Sequence, residues 1–114
     1  MRYLVVAAVL MFALTSCQAS KHVPGIPYYS KSFEYLVAPP RPIDEISTSD
    51  AESLQKNGYA FYKVWFNDNG QVERYEKHYR GTVIHMQYVY RDGRLIKAFG
   101  VDEDGKEITQ SYAN

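Results

Sequence analysis

Hydrophobic residues follow three different rhythms along this chain, and each predicts a different element. From Tyr3 to Leu14 they form an almost unbroken apolar run. Between residues 18 and 45 they are scattered among all five prolines, Pro24, Pro27, Pro39, Pro40 and Pro42. Proline fixes φ and offers no backbone donor, so residues 18–45 read as an extended tether. Within it, Tyr28-Tyr29 and Phe33-Glu34-Tyr35-Leu36-Val37 are too apolar for a plain spacer, and one of them is expected to pack back on the domain as a strand. Ser49-Asp50-Ala51-Glu52 then has the capping-box pattern, predicting a helix over about residues 50–56 that ends at Asn57-Gly58. From Tyr59 onward apolar and polar positions alternate with period two, the signature of half-buried strands.

Glycines punctuate that last region at Gly70, Gly81, Gly93 and Gly105. Asn69-Gly70, Asp92-Gly93 and Asp104-Gly105 tolerate the positive φ of tight hairpins, and Arg80-Gly81 is a weaker turn. Closing a hairpin at each predicts cross-strand partners. Tyr75 faces Met86, Lys77 faces Ile84, Glu76 faces His85, Tyr90 faces Leu95, Met86 faces Phe99, Ile84 faces Val101 and Val101 faces Ile108. Side chains alternate between faces of a sheet, so a wrong register would scatter the apolar set. Instead Tyr62, Val64, Phe66, Tyr75, Ile84, Met86, Tyr88, Tyr90, Leu95, Phe99, Val101 and Ile108 fall on one side. The expected fold is mainly β: a five-stranded antiparallel meander with one short helix. The helix and part of the tether are expected to cover the apolar face, because a bare face of that size invites aggregation.

The first rhythm speaks to location. Arg2 precedes the apolar run, and Leu14-Thr15-Ser16-Cys17 brings small residues up to the only cysteine. A basic start, an apolar run and a small-residue site form an export signal. The run falls short of the roughly 20 apolar residues of a bilayer-spanning helix. Leu14-Thr15-Ser16-Cys17 resembles the lipobox of bacterial lipoproteins. That resemblance implies cleavage before Cys17, whose sulfur then carries a lipid with palmitate-type chains; more than one such chain is needed for stable anchoring. Gln18 stands where many inner-membrane lipoproteins have Asp, which implies an outer-membrane anchor, the domain facing the periplasm. The expected organisation is a signal peptide over 1–16, lipidated Cys17 and a Pro-rich tether over 17–45, and a small β domain over 46–114.

Composition narrows the function. The 13 basic and 13 acidic residues balance, which argues against nucleic-acid partners and against electrostatic attachment to anionic lipid. With its one cysteine lipidated the chain forms no disulfide, so stability must come from packing, for which 11 tyrosines supply area.

Candidate chemistry is sparse. The chain has no phosphate-cradling glycine loop, no nucleophile elbow and no cysteine pair. Glu76, His78 and His85 share the face opposite the core, and two imidazoles with a carboxylate can hold Zn²⁺. The plainer reading is a solvated cross-strand pair of Glu76 and His85 beside an unrelated His78. His22 is expected to be solvated in the tether. Tyr59, Phe61 and Trp65 alternate on the same outer face with Val72, Val83 and Val89 nearby. They form either a protein- or glycan-binding surface or a second core under the helix or the Tyr28–Val37 segment.

Tyr88-Val89-Tyr90-Arg91-Asp92-Gly93-Arg94-Leu95 and Val101-Asp102-Glu103-Asp104-Gly105-Lys106 resemble the YD repeats of Rhs-type proteins and the MORN-like repeats of some antitoxin-like proteins. Such repeats act as scaffold or binding surface and carry no catalytic residues. The resemblance argues against an enzyme; together with the lipid anchor and the outer aromatic face, the leading expectation is a non-enzymatic structural or binding role in the cell envelope, without cofactor, with an envelope protein or glycan as partner. A second reading is an immunity-type lipoprotein that neutralises a periplasmic toxin through Asp102, Glu103, Asp104 and Glu107. A third is a small metal-dependent hydrolase on Glu76 and His85.

Overall fold

The computed structural model describes residues 22–112. The apolar run, the cleavage site and Cys17 lie outside the described residues. Strands β1 (Tyr28–Glu34) and β2 (Arg41–Ile46) precede helix α1 (Thr48–Lys56), and β3 (Phe61–Phe66), β4 (Val72–Tyr79), β5 (Thr82–Arg91), β6 (Arg94–Val101) and β7 (Glu107–Ser111) follow it. All seven strands form one antiparallel sheet in the order β2-β1-β3-β4-β5-β6-β7.

The mainly β fold with one short helix is present, with seven strands rather than five. The two extra strands come from residues 28–46, all but the last of them in the stretch read as a tether, so the β domain begins well before residue 46. Tyr28, Tyr29 and Ser30 pair with Val64, Lys63 and Tyr62, so β1 extends the meander. Of the five prolines only Pro42 lies in a strand, and that strand is an outer edge, where a missing N–H is tolerated. The helix starts earlier than expected: Ser47 caps it by accepting from the Asp50 N–H, and the stop at Asn57-Gly58 is as expected, with Gly58 at φ 78°.

Two kinds of turn set the registers. Arg80-Gly81 and Asp92-Gly93 are two-residue turns with positive φ at both positions (50° and 83°, 54° and 78°). The other two loops are built around an Asx side chain. Asn67 Oδ1 accepts from the N–H groups of Asn69 and Gln71, and Asp102 Oδ1 accepts from those of Asp104 and Lys106. Asn67 and Asp102 also bond Gln71 and Lys106 backbone to backbone, leaving three residues in each loop with glycine at positive φ.

These details correct part of the expected pairing. Tyr75 does face Met86, Lys77 faces Ile84, and Tyr90 faces Leu95. Past that point a bulge shifts β6 by one residue, so Met86 faces Gly100 and His85 faces Val101. Phe99 and Val101 therefore leave the core face, and Ala98 takes the core position opposite Tyr88. The three-residue loop after Asp102 slips the next pair once more, so Ile108 faces Gly100 rather than Val101. Two slips cancel, and Ile108 packs against the core as expected. Gly100 is what lets β5 and β6 close: a Cβ there would run into the His85 carbonyl oxygen and lie 2.7 Å from Met86 Sδ.

The core is a sheet of rings on one face. Phe33, Tyr62, Val64, Phe66, Val72, Tyr75, Met86, Tyr88 and Ala98 are buried there, with Tyr28, Tyr90, Leu95 and Tyr112 packed around them. Beyond Ser30 the β1–β3 pairing ends, and Phe33 lies over Tyr75 and Tyr62 with ring centroids 4.4 and 5.5 Å away. The Tyr75 and Tyr88 rings stack at 6.1 Å, while the Tyr90 hydroxyl donates to the Val72 carbonyl at 2.7 Å. Burial, then the neighbouring Tyr62, pushes the Tyr75 hydroxyl up to about 12. Burial and Tyr112 push Tyr90 up to about 12 as well, and Tyr88, in the middle of the group, is raised further still. His22 also joins this face. Its ring stacks on Phe66 at 3.7 Å and Nε2 meets Glu45 Oε1 at 2.6 Å, so the expectation of a solvated tether histidine is corrected.

Candidate binding surface

The opposite face is divided by the helix. Ala51 is buried where α1 lies against β1 and β3, and Phe61 is buried beneath it between Tyr29 and His78. Phe61 is thus part of a small second core. Tyr59 precedes β3 and is exposed, and Val72 lies on the tyrosine face because a bulge between Trp65 and Phe66 shifts its pairing. The expected trio of Tyr59, Phe61 and Trp65 therefore does not form one surface. Only half-buried Trp65 belongs to the part of the face that the helix leaves open.

Register brings a different group together. Trp65 faces Arg74, Arg74 faces Gln87, Gln87 faces Phe99 and Phe99 faces Thr109, one straight row from β3 to β7. Five strands at about 4.8 Å spacing make a row of about 19 Å. A parallel row holds Lys63, Glu76, His85, Val101 and Glu107. Val83 and Val89, as expected, stand on this face and are exposed. Each aromatic ring here carries a cation: the Arg74 guanidinium lies 3.8 Å and Lys63 Nζ 5.3 Å from the centre of Trp65, and Lys97 Nζ lies 5.7 Å from that of Phe99. Such stacking holds a long side chain flat over a ring and keeps its donors available. A strip of rings, guanidinium, amide and hydroxyl suits an extended partner with apolar faces and hydroxyl or acidic groups. Arg74, Gln87, Phe99 and Thr109 were not among the candidates read from sequence. Arg74 and Gln87 were visible as outward positions opposite Tyr75 and Met86, but Phe99 and Thr109 needed the bulge and the loop type.

Glu76, His78 and His85 do share this face, and Glu76 faces His85 as expected. The bond Glu76 makes, however, runs along its own strand to His78, Oε1 to Nε2 at 2.9 Å, and His78 stacks on Phe61 with centroids 5.0 Å apart. His78 is thereby committed to the contact under the helix. Among the described residues no three His, Cys, Asp or Glu side chains are grouped to hold a metal ion. No helix among them is long and apolar enough to cross a membrane. The acidic cluster is a turn first: Asp102 spends its carboxylate on two backbone N–H groups of its own loop, and Glu103, Asp104 and Glu107 are exposed.

The chain matches no protein-family model, no curated protein and no solved structure.

Proposed function

We propose that this chain is a lipid-anchored protein of the bacterial envelope, held through Cys17 at the outer membrane, whose β domain acts by binding and not by catalysis. The observation that supports the binding role is the open half of the sheet, where Phe99 stays exposed in the same row as the Trp65–Arg74 stack and Val89 stays exposed next to that row. A contiguous apolar and cationic strip outside a well-filled core is the usual mark of a contact surface. Its long, narrow row of rings and donors fits an extended envelope glycan better than a globular knob. The inhibitor reading has less to rest on, since Asp102 is occupied within its own turn.

Two measurements test this. Intact mass and membrane fractionation of the native protein, beside Cys17→Ala, are expected to show an acylated chain starting at Cys17 in outer-membrane fractions and an uncleaved variant. A soluble, unlipidated native protein would sink the anchor. Trp65 is the only tryptophan. Its emission should therefore shift when soluble peptidoglycan fragments are titrated in, and Arg74→Ala should weaken that response; an emission unchanged at saturating fragment would remove the glycan reading.

A further inference from the structure

The two edges of the sheet are built differently. The β2 edge carries Pro42, which has no N–H to offer, and Asp44 at φ 58°, which breaks the pleat, with Glu45 beside it. These are features that keep an edge from pairing with another strand. The β7 edge, Glu107-Ile108-Thr109-Gln110-Ser111, has no proline, no positive φ and one charge. Two bonds fix which of its backbone groups are free. The Asp102 N–H donates to the Lys106 carbonyl and the Tyr112 N–H to the Ile96 carbonyl, both in the register that pairs Ala98 with Gln110 and Gly100 with Ile108. In an antiparallel ladder bonded residues alternate, so Ile108 and Gln110 turn their backbone groups toward β6 and Glu107, Thr109 and Ser111 turn theirs outward. Among the described residues no strand lies beyond β7.

We propose that the partner at this edge is a second copy of the chain, joined β7 to β7 about a twofold axis through Thr109. An antiparallel pair centred there sets Thr109 against Thr109, Glu107 against Ser111 and Ile108 against Gln110. No like charges meet, and the three outward residues of each strand exchange their N–H and C=O groups, which is the requirement for strand addition. The blocked β2 edge makes the assembly close as a dimer, because a head-to-tail chain would need β7 to add to β2. The same register gives the dimer a use. Thr109 ends the row Trp65–Arg74–Gln87–Phe99–Thr109, so the twofold axis continues that row into its copy and doubles the length of the strip. The dimer itself stands whether or not the strip binds glycan.

The test is the mass of the full-length chain from its host in mild detergent, by light scattering and sedimentation at tens of micromolar. Wild type is expected at twice the mass of one chain after subtraction of detergent. Thr109→Pro removes one outward N–H and no bond to β6, so it should run at the mass of one chain. Thr109→Cys should form a disulfide-linked dimer on mild oxidation, whereas Asp44→Cys on the blocked edge should not. The disulfide readout holds even where the proline variant folds poorly. A wild-type chain at the mass of one chain, alone or carrying another polypeptide, would overturn the proposal, as would a dimer that persists in a folded Thr109→Pro or equal cross-linking from Asp44→Cys.

Discussion

Phe66 and Phe99 belong to the same sheet, and their surroundings show how differently its two faces are built. Phe66 is 3% exposed, on the tyrosine face, beneath His22 and beside Tyr28. Phe99 is 36% exposed on the opposite face, beyond the reach of the helix and touched by Lys97. The first face takes its cover from chain on the N-terminal side: His22, and Phe33 at the far end of β1. The second has one short helix, which covers Phe61 and stops. Alternation along the strands makes both faces partly apolar; which of them becomes the core is decided by where the covering segments go. One face then holds the fold together, and the other stays partly uncovered among the described residues.

The sharpest way to break that comparison is to truncate both rings. Phe66→Ala should cost about 3–5 kcal/mol in a denaturant melt, since a filled core site is emptied. Phe99→Ala should stay within about 0.5 kcal/mol, as for an exposed position. Comparable losses at the two sites would mean that the second face is also core. Next in size is Gly100→Ala, expected to lose about 1–3 kcal/mol because the added methyl meets the β5 backbone at His85 and Met86 as well as the Met86 sulfur, and backbone cannot swing aside; an unchanged melting temperature would show that β5 and β6 can separate freely.

Alkaline pH should act on the tyrosine face. Folding raises the Tyr75 and Tyr90 hydroxyls to about 12 and Tyr88 beyond, so the folded state holds protons that an unfolded tyrosine gives up near about pH 10. Their contribution is complete below pH 10 and is lost as pH rises toward 12. Melting temperature measured from pH 8 upward should fall across that window, and Tyr75→Phe should flatten the fall. The smallest effect is Ser47→Ala, about 1 kcal/mol from loss of the helix cap, with more exposure of Phe61 to hydrogen exchange in neighbouring amides and none at Tyr75.

The alternation from Tyr62 to Tyr90 made the core side of β3 to β5 legible except at Val72, which the bulge after Trp65 turns inward, because each strand is bounded by a turn whose glycine fixes the pairing of its neighbours. Phe99 and Val101 were misplaced for a local reason: the bulge near Ile96 carries no glycine or proline, and the Asx loop at Asp102 looks in sequence like a two-residue Asp-Gly turn. The strand at Arg41–Ile46 was hidden by the surrounding prolines, whereas the apolar content of Tyr28-Tyr29 and Phe33 did point to a strand packed back on the domain, as β1 is. The site was legible only in part. Trp65 was visible as an outward aromatic, but the row it begins depends on four registers at once, and the loss of Phe61 to the helix is a matter of tertiary packing.

The most direct test of the open face is site-specific photo-crosslinking in the native host, with a photoreactive residue placed at Gln87 or Val89 on the strip and at Lys31 or Glu52 as exposed positions away from it. An adduct with an envelope component is expected from Gln87 and Val89 and none from Lys31 and Glu52. Equal adducts from all four positions, or none from the strip, would contradict it.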